Sequence, residues 1–196
     1  MMLIRFIKSR WTYVAIRLIG LGLLVGYLTI SSDWRFSFVW ALIFAAIMLS
    51  VAWLVVGLRL RRRFPKLDRY FLYPATEGYA SGPSSGDEWA LKKANYLLNG
   101  FRGTAILSAP AEDGLICVPV LLVGISALSA PLGGVAFGLI HLGRFTYLEC
   151  LAKGVTYTLA CAFVLPHGLL TVVVGHLVID GLAFVTLQAL RRKLSM

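Results

Sequence analysis

Apolar runs of about 20 residues recur along this chain, and that is the length an α-helix needs to cross a bilayer at about 1.5 Å per residue. Six such runs can be drawn over the 196 residues, at roughly 12–30, 37–58, 103–127, 131–149, 154–170 and 171–190. The polar turn Ser31-Ser32-Asp33-Trp34-Arg35 separates the first two, Ser129-Ala130-Pro131 precedes the fourth, and Pro166-His167-Gly168 closes the fifth. The expected fold is all-α: a polytopic transmembrane helical bundle of about six spans. Composition agrees, with 59% hydrophobic and only 14% charged residues, where a soluble domain carries about a quarter charged. The chain reads as an integral membrane protein of the bacterial plasma-membrane type, with membrane lipids as its surroundings.

The net charge of +10 invites a nucleic-acid reading, which the placement of the basic residues excludes. They cluster at the ends of apolar runs: Arg5, Lys8 and Arg10; Arg59, Arg61, Arg62, Arg63, Lys66 and Arg69; Lys92, Lys93 and Arg102; Arg191, Arg192 and Lys193. Such clusters mark cytoplasmic loops beside anionic headgroups. With both termini cytoplasmic, the inner segments 1–11, 59–102, 150–153 and 191–196 hold nearly all the basic residues and the outer loops hold only Arg35. Arg17 interrupts the first apolar run and no small-residue cleavage site closes it. That segment is expected to be an uncleaved signal anchor, with Arg17 snorkelling to the inner headgroups.

The chain divides into two N-terminal spans over 1–58, a basic cytoplasmic linker over 59–102, and a four-helix core with a basic tail over 103–196. Gly, Pro and Ser residues crowd the stretch 70–95 and mark it as a connecting segment. Trp89, Leu91, Tyr96, Leu97 and Phe101, interspersed with Lys92, Lys93 and Arg102, suit an interfacial helix over 88–101.

Inside the core, ionisable residues interrupt three apolar runs: Glu112 and Asp113, then His141, then His176 and Asp180. Charge at such depth costs several kcal/mol, so these residues are expected to face the bundle interior or a wet cavity. Glu112 lies about 13 Å from the cytoplasmic start of its run and His141 about 12 Å from the corresponding end of its own. Asp180 falls in the same slab, with His176 one turn deeper on the same i, i+4 face. The polar groups of three runs thus share one level, on the cytoplasmic side of the midplane. Pro110 weakens the helical ladder two residues before Glu112 and leaves a carbonyl free near the carboxylate. Gly133, Gly134, Gly138 and Gly143 around His141 allow close helix approach.

Cys117, Cys150 and Cys161 are odd in number and widely spaced, with neither a disulfide framework nor a CxxC pair. They are expected to be small apolar core residues. His167 reads as a solvated residue of an outer turn, and Glu149 as an interfacial residue paired with Lys153 at i+4. Trp34, Phe36, Trp40 and Trp53 read as interface belts and lipid-facing bulk.

Ala109-Pro110-Ala111-Glu112-Asp113-Gly114-Leu115-Ile116-Cys117 resembles the first motif, EExxxR, of the CAAX prenyl endopeptidase and bacteriocin-processing (CPBP, or Abi) family of intramembrane proteases. Phe137 to His141 is similar to the second motif, FxxxH, and His176 to Asp180 to the third, a His followed at i+4 by Asn or Asp. The resemblance covers roughly 95–190. The first motif departs from the pattern twice: its second Glu is Asp113, and its Arg is Cys117, which supplies no permanent charge. Arg144 is a candidate for that missing charge.

The resemblance implies an endopeptidase of the glutamate type, without a cofactor, acting on a membrane-associated or lipidated protein or peptide. Glu112 and His141 would activate a water, and His176 would stabilise the developing oxyanion. Asp113 and Asp180 would support and orient: Asp113 by sharing a proton with Glu112, Asp180 by fixing the ring and tautomer of His176. Phe137 and Cys117 would shape packing and access. The same residue types suit two other functions. Glu112, His141, His176 and Asp180 are potential Zn²⁺ ligands of a metal-dependent membrane hydrolase, and buried ionisable residues also serve an inactive immunity or scaffold relative, or a proton-relay transporter.

Overall fold

The computed structural model describes residues 10–60, 105–142 and 147–194. Among these the regular elements are helical and follow one another as α1 (Arg10–Ser31), α2 (Phe38–Leu60), α3 (Ala105–Val123), α4 (Ser129–Ile140), α5 (Tyr147–Leu159) and α6 (Leu169–Leu194). Between α5 and α6 the chain continues as a π-helical turn, Ala160–Val164, and a 3₁₀ turn, Leu165–His167. Three stretches are long and apolar enough to cross a membrane: Val14–Ser31, Tyr147–His167 and Leu169–Thr186. This is a helical membrane protein. The stretch 70–95, nearly all of the 59–102 linker, the helix expected over 88–101, and Gly143 and Arg144 lie outside the described residues.

Two helix boundaries differ from those expected of the sequence. The fourth helix ends at Ile140, with His141 as its C-cap, instead of running to 149. The fifth begins at Tyr147 instead of 154, so Glu149 belongs to the fifth helix and not the fourth, and Lys153 is a helical residue and not part of a loop. The expected run continues through His141, Gly143, Arg144 and Thr146 because Leu142, Phe145 and Tyr147 alternate with them. Glu149 in the first turn of α5 is favourable against the positive end of the helix dipole.

Small residues set the spacing of the bundle. A Cβ at Gly20 would lie 1.9 Å from the Ala111 carbonyl oxygen, and one at Gly114 would lie 2.0 Å from that of Gly20, so α1 and α3 meet backbone to backbone. Against α5, a Cβ on Gly134 of α4 would come within 2.4 Å of the Gly154 carbonyl oxygen. Helices in lipid gain their association from such close packing, since burying apolar surface from lipid releases no water. Elsewhere α2 packs against α5 and α6, and α3 lies between α1, α4 and α6. The core threads through these contacts, with Phe44, Phe137, Tyr157, Leu165, Leu169 and Val172 among its buried side chains.

α3 stays helical from Ala105 to Val123 across Pro110 and Pro119. Each proline lacks an N–H, so the carbonyls of Ile106 and Leu115 lose their usual i+4 donors. Past α5, Pro166 has the same consequence, and the ladder before it widens into the π turn, where the Leu165 N–H bonds the Ala160 carbonyl.

At the end of the bundle remote from Glu112, the α1–α2 loop is fastened to the α5–α6 turn. Ser32 ends α1 in a left-handed conformation, φ 52°. Arg35 binds Asp33 through Nε at 2.7 Å and Nη2 at 2.8 Å, and its Nη1 donates to the Pro166 carbonyl at 3.3 Å. Gly168, at φ 112°, passes so close to the Arg35 carbonyl that a Cβ would lie 2.0 Å from it. His167, expected to be solvated, instead stacks on Trp40 with centroids 4.5 Å apart.

Candidate functional site

Adjacent residues on an α-helix point about 100° apart, and Glu112 and Asp113 use that divergence to face different helices. Glu112 turns toward α4, where its Oε2 lies 3.6 Å from His141 Nε2. Asp113 turns toward α5 and α6 and is fully buried. The two carboxylates therefore do not form the proton-sharing pair expected from their adjacency; each has its own histidine.

His141 closes α4, and the ring folds back onto its own helix, with Nδ1 2.8 Å from the Phe137 carbonyl oxygen. A carbonyl only accepts, so Nδ1 carries a proton and donates it. The neutral ring then presents the Nε2 lone pair to Glu112. At 3.6 Å the two groups are beyond direct hydrogen bonding. The Glu112 side chain keeps 16% of its surface exposed, whereas the Asp113 side chain keeps 0%.

The second pair is a tighter knot. His176 Nδ1 donates to Asp113 Oδ1 at 2.9 Å, and the Tyr157 hydroxyl donates to the same oxygen. Cys117 Sγ lies 3.4 Å from the Tyr157 hydroxyl oxygen. Because that hydroxyl gives its proton to Asp113, the contact is a thiol donating to Tyr157. Cys117, expected to shape packing and access, is thus a buried donor at the end of a chain: Cys117, Tyr157, Asp113, His176. Asp113 Oδ2 is buried and makes no hydrogen bond among the described residues.

Phe137 joins the two pairs. Its ring is fully buried, stacks on Tyr157 at 3.8 Å and 8°, lies 4.6 Å from the His141 ring and meets the His176 ring edge-on at 5.7 Å. Lys153 Nζ stands 5.8 Å from the centroid of the same ring. Phe137 is therefore the hub against which both histidines are oriented, a larger part than the packing expected of it.

Asp180 is one turn beyond His176 on α6. It was expected to fix the ring of His176, and the residue hydrogen-bonded to that ring is Asp113. Among the described residues no three His, Cys, Asp or Glu side chains converge as a group able to hold a metal ion. Of the four potential zinc ligands, Glu112 and His141 form one pair, His176 belongs to the other with Asp113, and Asp180 belongs to neither.

Sequence reasoning did not find Tyr157 or Lys153. Tyr157 carries no charge to mark it in an apolar run, and its only signal is a hydroxyl one turn from Lys153. Lys153 was hidden by the boundary placed at 154.

No family model, no curated protein and no solved structure matches the chain.

Proposed function

We propose that this protein is an intramembrane endopeptidase of the CAAX-protease-like type. It would use Glu112 and His141 to activate a water against a peptide bond of a membrane-associated or lipidated protein. The observation that carries this reading is the pair itself: a partly exposed Glu112 carboxylate facing His141 Nε2 at 3.6 Å, with the other ring nitrogen committed to Phe137. Two acceptors that face each other this closely can both accept from one water lying beside them, and a carboxylate and an imidazole are the usual groups for taking its proton.

His176 is the complement. With Nδ1 committed to Asp113, Nε2 is the atom left to meet an incoming carbonyl oxygen. When the ring carries both protons it donates there as charge develops, a contact typically worth a few kcal/mol. Asp113 and Tyr157 hold that ring in place. The catalytic residues in this reading are Glu112, His141 and His176; Asp113, Asp180, Phe137 and Tyr157 are positioning residues. The bundle crosses the membrane six times with both termini cytoplasmic, which places the pairs in the cytoplasmic half where a peptide can reach them.

The test is proteolysis by purified protein in lipid vesicles, read by mass spectrometry on a library of lipid-anchored peptides. Wild type cleaves, Glu112→Gln and His141→Ala lose about 100-fold or more, and a metal chelator changes nothing. Cleavage abolished by chelator and restored by Zn²⁺ would replace this reading with a metal-dependent hydrolase. Binding without cleavage would replace it with a scaffold.

A further inference from the structure

We propose that Lys153 is a positioning residue of this site, the counter-charge on α5 that holds the Glu112 carboxylate toward His141. Three carboxylates, Glu112, Asp113 and Asp180, share one low-dielectric region with two histidines. Asp113 is provided for by two donors, His176 Nδ1 and the Tyr157 hydroxyl. Glu112 and Asp180 need a cation, because carboxylates gathered away from water repel one another and are costly unless paired.

Lys153 is placed for that. It is half-buried on α5, one turn from Tyr157. Its Nζ lies 5.8 Å from the centroid of the Phe137 ring, whose other contacts are Tyr157 and both site histidines. A desolvated cation near an aromatic ring is held there by the ring's quadrupole, so the ammonium is anchored at the hub between the two pairs. From that position, at the hub shared by both pairs, its positive charge lies within electrostatic reach of Glu112 and Asp180. Glu112 faces His141 from α4, and the other charged or titratable groups within electrostatic reach of it are His176 and Asp180 from α6, Lys153 from α5 and the diverging Asp113 of its own helix. Arg17 on α1 acts on Asp180, which divides the labour between two cations. Lys153 restores from a different helix the positive charge that Cys117 does not provide. The consequence for catalysis rests on the protease reading; the charge pairing does not.

A thermal double-mutant cycle on the full chain in lipid nanodiscs tests the pairing without any substrate. Wild type, Lys153→Met, Glu112→Gln and the double variant are melted by tryptophan fluorescence. Lys153→Met alone strands a carboxylate, and adding Glu112→Gln removes it. The double variant is therefore expected to melt about 3 °C or more above the sum of the single shifts, and Lys153→Arg to melt with wild type. If Lys153→Met cannot be isolated folded, its recovery when Glu112→Gln is added is the same signal. Additive shifts, no such recovery, or coupling to Glu149→Gln in place of Glu112→Gln would overturn the proposal. In the vesicle assay Lys153→Met should lower kcat about 10-fold or more with KM nearly unchanged, and Lys153→Arg should restore it. A coupled cycle with no cleavage by wild type would leave the pairing standing and remove the protease reading. Wild-type cleavage with an additive cycle would do the reverse.

Discussion

His176 donates its Nδ1 proton to Asp113 Oδ1 across 2.9 Å, tying α6 to α3 through two side chains that are both buried. Around that bond stand Tyr157, Cys117 and Phe137, and one helical position away Glu112 faces a second histidine. Stability and chemistry in this region are consequently coupled, and the variants below are chosen to separate them.

Tyr157→Phe removes the hydroxyl that donates to Asp113 Oδ1 and leaves Cys117 without its acceptor. Losing one donor to a buried carboxylate costs about 1–3 kcal/mol. The expected result is a lower Tm, with cleavage reduced and not abolished, because Tyr157 touches Asp113 and lies outside the Glu112–His141 pair. Melting curves and a cleavage assay on the same preparation check both halves.

Asp113→Asn should be more damaging to folding than Asp180→Asn. Asp113 is fully buried with two donors aimed at one oxygen. An amide keeps that acceptor but loses the charge that strengthens both bonds, and it buries an NH₂ where Oδ2 has no partner among the described residues. Asp180 is only partly buried and engaged through charge. Comparing the two Tm values decides the order, and equal values would mean that the bond to His176 contributes little.

The α1–α3 contact offers a test with an internal control. Gly20→Ala places a methyl group 1.9 Å from the Ala111 carbonyl oxygen, and Gly22→Ala, two residues along the same helix, meets nothing within 4 Å. Gly20→Ala should cost about 1–3 kcal/mol or more through backbone separation. Gly22→Ala should be neutral or stabilising by up to about 1 kcal/mol from helix propensity. Similar melting of the two variants would contradict the packing described above.

The loop clamp carries a pH signature. The Arg35 guanidinium, by hydrogen bonding, holds the Asp33 carboxyl below its ordinary value near 3.8. A depressed carboxylate contributes stability that is present above its unfolded value and lost as pH falls through its folded value. Asp33→Asn should therefore melt below wild type at neutral pH, and the gap should close as the medium is taken below that range. A gap that stays constant with pH would mean that the Asp33 charge contributes nothing.

Much of the fold is written in the hydropathy of the chain, because apolar runs and polar turns must alternate wherever helices are packed in lipid. The six helices fall close to the six apolar runs, and the placement of Glu112, Asp113, His141, His176 and Asp180 at one level follows from counting residues along each run. What counting could not supply is direction around the helix axis. It gave Asp180 to His176, where the structure gives Asp113, and it paired Glu112 with Asp113, which diverge. His141, Gly143, Arg144 and Thr146 mark the break before Tyr147, but a run drawn across them to 149 leaves Lys153 in a loop. Tyr157 is legible only from the three-dimensional neighbourhood of Asp113.

The most direct test of the account is termini-resolved proteomics on membranes from cells expressing either wild type or Glu112→Gln at matched abundance. The account predicts a reproducible set of new peptide ends with wild type alone, lying in membrane-associated proteins. Identical peptide ends from the two, with both proteins folded, would contradict it and make the Glu112–His141 pair a feature of binding or structure.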